Sequence, residues 1–206
     1  MESFKIRASG AGQIMTSPRA KKDKESGKLS KTSETFVQNW LKESIYGHRK
    51  EFSSKQTEKG INLEDEGIDS AISWLDLPFV LKNEKSFEDE YFTGTPDLIL
   101  EDEVLDIKLS WDAFTFPLFE TELPTKDYFY QMQVYLHFTR KKKGRVVYVL
   151  LNTPEELNKY GFNADYSNVD TKYCIKTFQV DYDVNVIEDL KQRVGQIREY
   201  LLTINL

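Results

Sequence analysis

The sequence predicts an α/β protein in which a small mixed central β-sheet is flanked by helices, all in one domain spanning residues 1–206. Two observations predict this. Short runs rich in β-branched and aromatic residues alternate with longer segments whose apolar residues recur at helical spacing. A chain of 206 residues can bury one substantial core and shows no internal repeat. Mixed strands and helices in such an order pack as layers around a sheet.

The elements follow along the chain. Residues 16–33, TSPRAKKDKESGKLSKTS, hold no large apolar residue except Leu29 and read as a mobile basic loop. Ser33 can cap a helix to about Tyr46, with Phe36, Val37, Trp40, Leu41 and Ile45 on one face and Gly47 as its stop. A second helix over 56–75 carries the apolar stripe Ile61, Ile68, Ile72 and Leu75. Glu64 falls inside that stripe, where a carboxylate is costly unless paired or bound to metal. Tyr91–Phe92 lead through Gly94-Thr95-Pro96-Asp97 into a strand at Leu98-Ile99-Leu100. Glu101-Asp102-Glu103 form a tight turn, and Val104–Lys108 returns antiparallel. Pro124 and Thr125 open a helix to about Thr139. Arg145–Leu151 and Lys172–Val180 are further strands. A last helix, Val184 to Leu202, places Ile187, Leu190, Val194, Ile197 and Leu201 on one face.

Composition narrows the class. Hydrophobic residues make up 39% and charged residues 30% of the chain, which is ordinary for a globular protein. No apolar run approaches the length of a membrane helix, and the N-terminus lacks the apolar region of a secretory signal. A cytoplasmic protein without membrane contact is expected. Cys174 is the single cysteine, which excludes an internal disulfide, a thiolate zinc cluster and a four-cysteine iron–sulfur cluster. The net charge of −6 is unevenly spread. Residues 1–60 carry 13 basic and 7 acidic side chains, so a local basic footprint is compatible with the acidic total.

Four short patterns carry chemistry: Gly60-xxx-Glu64 on a helix, Gly94-Thr95-Pro96-Asp97 entering a strand, Asp106-Ile107-Lys108 on the returning strand, and Gln131-xxx-Tyr135 on the next helix. Strand side chains alternate faces, so Asp106 and Lys108 project together while Ile107 points to the core. Asp97 lies close to opposite Asp106 across the hairpin. Two carboxylates this near repel unless a cation lies between them, and a hard oxygen-preferring ion such as Mg²⁺, with Mn²⁺ as a substitute, suits them. Lys108 can orient an attacking water and meet a phosphate oxygen. Glu64 can complete the site as a direct or water-mediated ligand. The set suits metal-assisted phosphodiester hydrolysis. Singly, each pattern is common on an ordinary surface or turn; together, in this order and on these element types, they specify a site.

These residues resemble the PD-(D/E)XK nuclease superfamily, with its restriction-endonuclease-like core, and within it the RecB-like branch that includes the phage lambda exonuclease and YqaJ viral recombinase family. Arg7-Ala8-Ser9 with Pro18-Arg19 is similar to that family's Thr-Ala-Ser segment and downstream Pro-Arg. Tyr130-Gln131-Met132-Gln133 is similar to its Ala-Gln-Val-Gln helix, with Thr139-Arg140-Lys141 in register behind it. The resemblance spans about residues 6–154. It implies a catalytic set of Glu64, Asp97, Asp106, Lys108, Gln131 and Tyr135. The metal is held by Asp97, Asp106, the Ile107 backbone carbonyl and Glu64, and Gln131 steadies the site or the substrate backbone. Ser9 is placed at a terminal 5′-phosphate, with Arg7, Arg19, Lys21, Lys22, Arg140 and Lys141 on DNA. Position 7 holds Arg where the family has Thr, and Glu2 stands where an arginine assisting the serine is expected. The activity implied is digestion of linear double-stranded DNA from its 5′ end by a ring of three subunits, in company with a single-strand-annealing protein, in a bacterial or phage-infected cell. An endonuclease or RecB-like DNA-processing nuclease, and a catalytically idle DNA-binding module, are the alternatives.

Overall fold

Strand β5 (Glu103–Leu109) runs through the middle of the molecule, and its alternation of faces organises everything around it. In the computed structural model, which describes residues 3–48, 54–157 and 165–204, β5 pairs antiparallel with β4 (Leu98–Ile99) and parallel with β6 (Lys143–Val149). Strand β7 (Ile175–Asp181) closes a four-stranded sheet of order β4-β5-β6-β7, antiparallel to β6. The parallel pair β5 and β6 needs a crossover, which helix α6 (Lys126–Thr139) supplies.

A second, three-stranded sheet joins β1 (Ile6–Arg7), β2 (Phe87–Glu88) and β3 (Phe92–Gly94) in the order β1-β3-β2. The chain passes from β3 in this sheet to β4 in the other through Thr95, Pro96 and Asp97.

Each face of the larger sheet is covered. Val104 of β5, Val146 and Tyr148 of β6, and Phe178 and Val180 of β7 face the larger core. There they meet Met132, Val134 and Leu136 of α6 and Ile187, Leu190, Val194 and Ile197 of α7 (Val184–Leu202). Leu105, Ile107 and Leu109 face the other way, against Ile68 and Ala71 of α5 (Glu64–Trp74). The alternation read from the sequence holds: Ile107 packs in the apolar layer, and Asp106 and Lys108 share the opposite face.

Several boundaries differ from the sequence reading. Helix α3 (Lys31–Tyr46) is capped by Ser30, whose Oγ accepts from the Ser33 amide at 3.0 Å. Ser33 instead sits within the first turn, where its Oγ donates to the Gln13 and Ile14 carbonyls. Gly47 ends α3 in the left-handed conformation, as expected. Val37 and Leu41 are buried on α3 while Ile45 is 45% exposed. Residues 16–33 contain a short helix, α2 (Lys21–Glu25), following α1 (Ala11–Ile14), and bury Leu29 and Ser30.

The single helix expected over 56–75 is two: α4 (Lys55–Asn62) and α5, broken at Leu63. Three consecutive acids, Glu64, Asp65 and Glu66, form the first turn of α5, and negative charge is favourable at a helix N-terminus. The break leaves Ile61 67% exposed while Ile68 is buried, so the continuous stripe does not exist. Strand β7 begins at Ile175 because Thr171–Tyr173 form a 3-10 turn capped by Asp170. Among the described residues, no helix is long and apolar enough to cross a membrane.

Candidate active site

The register Leu98↔Leu105 and Ile99↔Val104 sets Asp97 beside Asp106, and both line a cleft of about 570 Å³. The Asp97 side chain is fixed across the strands: its Oδ2 accepts from the Ile107 amide at 2.6 Å. Asp106 is 2% exposed. Its Oδ1 accepts from Gln131 Nε2 at 3.1 Å, and the same amide nitrogen donates to Tyr135 Oη at 2.9 Å. Lys108 Nζ stands 2.7 Å from Asp106 Oδ2 as an ion pair. That oxygen is buried, and the Lys108 ammonium is its countercharge. The Lys108 ammonium also lies 4.7 Å from the centre of the Tyr128 ring, a cation–π contact.

Burial sets the electrostatics. It pushes the Asp97 carboxyl up to about 7, and repulsion from Asp106 adds to this, while the Ile107 amide pulls the other way. Burial also raises Asp106, against the pull of Lys108. Lys108 is lowered by burial, but the attraction of Asp106 and Asp97 outweighs this and leaves it raised. Tyr135 is held strongly on its phenol form by burial and the nearby carboxylates.

Glycine at position 94 answers a close approach. A Cβ there would stand 2.9 Å from Tyr135 Cε1 and 3.1 Å from Ala8 Cβ. The Tyr135 ring therefore packs onto bare backbone, which ties the second sequence pattern to the fourth and brings Ala8 against both.

Glu64 departs from its expected place. It opens α5 on the wall of the cleft, with its side chain 50% exposed, and pairs with Lys82 at 2.8 Å instead of lying on a buried face. Lys82 is held well above its ordinary range by hydrogen bonds to Asp65 and Glu64.

The carboxylates of Asp97, just before β4, and of Asp106, on β5, line the same cleft as Ile107 and offer an oxygen-only donor set. Mg²⁺ is held by few protein ligands and keeps several waters, so this set fits it. Among the described residues, no three His, Cys, Asp or Glu side chains gather into a closed metal cage.

The other expected contact residues are dispersed. Arg7 and Ser9 line a separate cleft of about 750 Å³, with Lys5, Gln13, Asn39 and Thr93. Lys5 there is paired with Glu88. Arg19, Lys21, Lys22, Arg140 and Lys141 line neither cleft. Lys21 pairs with Glu25 at 3.7 Å; Arg140 is the left-handed C-cap of α6; Lys141 donates to the Glu101 carbonyl. Glu2 lies outside the described residues. His137 bonds Asp89 at 3.1 Å and packs edge-on to Phe92.

Two cleft residues, and a buried lysine behind the cleft wall, escape a sequence reading. Tyr128 lies three and seven residues before Gln131 and Tyr135, a helical spacing that marks it for the same face. Tyr148 lines the cleft from β6. Lys59 is 1% exposed and donates to the carbonyls of Ser110 (2.9 Å), Trp111 (2.9 Å) and Leu151 (2.7 Å). Nothing in the surrounding Glu58-Lys59-Gly60 separates it from an ordinary surface lysine. Trp111, by contrast, is half-buried on the cleft wall.

No protein-family model and no curated protein matches the chain. Solved structures do. A phage-related exonuclease from Haemophilus somnus 129PT superposes with a TM-score of 0.82 at 27% identity, over 97% of this chain and 94% of that one. An alkaline exonuclease from Laribacter hongkongensis superposes with a TM-score of 0.68 at 15% identity, over 96% and 91%. Its complex with dAMP gives 0.65 at 16% identity, over the same shares.

Proposed function

We propose that the chain, whose structural neighbours include a phage-related exonuclease and an alkaline exonuclease, is a Mg²⁺-dependent exonuclease of the PD-(D/E)XK nuclease superfamily. Its substrate is linear double-stranded DNA, hydrolysed from the 5′ end in phage-type recombination and repair. The observation that carries this reading is the pair of buried carboxylates, Asp97 and Asp106, with Lys108 beside them and Gln131 fixing one oxygen of Asp106.

In this reading Asp97, Asp106 and the Ile107 carbonyl hold the ion. When bound, it neutralises charge on the phosphodiester and on the leaving 3′-oxygen and makes water easier to deprotonate. Lys108 orients the attacking water in line with phosphorus and meets a non-bridging oxygen. Asp106 cannot swing, because Gln131 holds Oδ1 and Tyr135 in turn holds Gln131. Glu64, half-exposed on the cleft wall and paired with Lys82, completes the site as a direct or water-mediated ligand. The cleft holding Lys5, Arg7 and Ser9 takes the terminal 5′-phosphate, and the basic residues Arg19, Lys21, Lys22, Arg140 and Lys141 follow the DNA backbone without reading its sequence. A ring of three subunits and delivery of the product strand to an annealing protein belong to the same reading.

The test uses linear duplex and covalently closed circular DNA, with Mg²⁺ or with EDTA, alongside Asp106→Ala. Mg²⁺-dependent loss of linear DNA alone, abolished by the substitution, is the expected result. Cutting of the circle moves the activity to an endonuclease. Survival of both substrates with Mg²⁺ and with Mn²⁺ overturns the reading in favour of a DNA-binding module.

A further inference from the structure

Helix α4 forms the cleft wall opposite the Asp106–Lys108 strand, and it is bare at one point. Gln56, Thr57, Gly60 and Ile61 line the cleft from α4, and only Gly60 lacks a side chain. Glycine inside a helix weakens it relative to alanine, so a reason is needed. Packing does not provide one. A Cβ built on Gly60 meets no heavy atom within 4 Å, as at Gly195 of α7, whereas at Gly12, Gly67 and Gly94 it would meet a neighbour within 3.0 Å; of the two open helical positions only Gly60 lines a cleft. Backbone conformation does not provide one either, because Gly60 is not among the glycines of positive φ. The open space above it is the cleft.

The neighbouring residue fixes the position of that wall. Lys59 ties α4 to the ends of β5 and β6 through the carbonyls of Ser110, Trp111 and Leu151. Pulling a buried ammonium off three acceptors is costly, so α4 cannot swing back to make room. Volume added at position 60 is therefore taken from the cleft.

We propose that Gly60 is a clearance position. It leaves room for the sugar–phosphate backbone of a nucleic-acid strand lying along α4, between that helix and the Asp97 and Asp106 carboxylates. The cleft is thereby sized for a polymeric strand passing through it. This inference rests on the nuclease reading for the identity of the bound strand.

The experiment compares wild type with Gly60→Ala and Gly60→Leu. It follows thermal melting, binding of a fluorescent duplex in EDTA and in Ca²⁺, and steady-state cleavage of that duplex with Mg²⁺. Both variants should melt at or above the wild-type temperature, because alanine and leucine are better helix formers. The Leu variant should raise Kd and KM about tenfold and the Ala variant about threefold, with kcat changing less. A folded Leu variant with wild-type Kd and KM overturns the proposal; if Leu fails to fold, an Ala variant with wild-type values does so. Wild-type protein that binds the duplex without cleaving it sinks the nuclease reading, and the binding arm still decides on Gly60. Wild-type protein that neither binds nor cleaves overturns both.

Discussion

Gln131 Nε2 donates at once to Asp106 Oδ1, at 3.1 Å, and to Tyr135 Oη, at 2.9 Å. One amide group thus fixes a fully buried carboxylate from the helix that crosses over it. Residues that orient a metal-binding carboxylate typically contribute 10- to 100-fold to affinity or activity. Gln131→Leu should therefore lower kcat by about 10- to 100-fold and shrink the rise in melting temperature caused by Mg²⁺. Tyr135→Phe, which removes only the far end of the chain of bonds, should cost less. Gln131→Leu with wild-type kcat would show that Asp106 needs no such support.

Asp97 makes stability depend on pH in an unusual direction. Its ordinary value is 3.8, and in the folded protein it is pushed up to about 7. Between those values the folded state keeps a proton that the unfolded chain has released. Stability therefore falls as pH rises through this window. Cation binding favours the ionised form and reverses the loss. The melting temperature of wild type minus that of Asp97→Asn, measured without metal, should decline from pH 4 to pH 7 by a few degrees. Mg²⁺ should abolish this decline. A difference that is flat across this range would show that Asp97 is ionised throughout.

How much of this could be read beforehand depends on how local the physics is. The hairpin of β4 and β5 was legible because Leu98, Ile99, Val104 and Leu105 flank a short acidic turn, and the two-residue period then put Asp106 and Lys108 on one face. Helix α7 was legible to both of its ends from apolar spacing alone. The break at Leu63 was not, because the periodicity of Ile61, Ile68 and Ile72 continues through it. Only the preference of three acids for a helix N-terminus reveals it, and it carries Glu64 out to Lys82. Gly94 was readable as a turn residue, whereas its role as a seat for the Tyr135 ring depends on a helix about forty residues away. Lys59 was invisible for the same reason: its three acceptors lie 51, 52 and 92 residues further along the chain.

Lys108 is the countercharge of Asp106, and removing it leaves a buried carboxylate without one. Breaking such a pair costs on the order of 3 kcal/mol. Lys108→Met should lower the melting temperature more at pH 8 than at pH 5, because protonation of Asp106, already raised by burial, relieves the unpaired charge. Activity with Mg²⁺ should fall about 100-fold or more. A loss of stability equal at both pH values would mean that Lys108 contributes by packing on Tyr128 and not by charge.

Lys59 gives the opposite of what an ordinary ion pair would. Burial holds its ammonium down to about 8 from the ordinary 10.5, with Asp112 and Glu66 opposing the shift. Between these values the unfolded chain binds more protons than the folded one, so folding gains stability as pH rises through the window. Lys59→Met strips the donor from three carbonyls at the ends of β5 and β6, which costs on the order of 2–4 kcal/mol. Its melting temperature should be several degrees lower than that of wild type at pH 7.5. The gap should widen by pH 10, because the wild type no longer buries a charge while the neutral amine still donates to carbonyls. Melting curves of the two proteins at both pH values measure this. A gap that narrows toward pH 10 would show that the positive charge itself holds α4 to the strand ends, and that the wall of the cleft loosens in alkali.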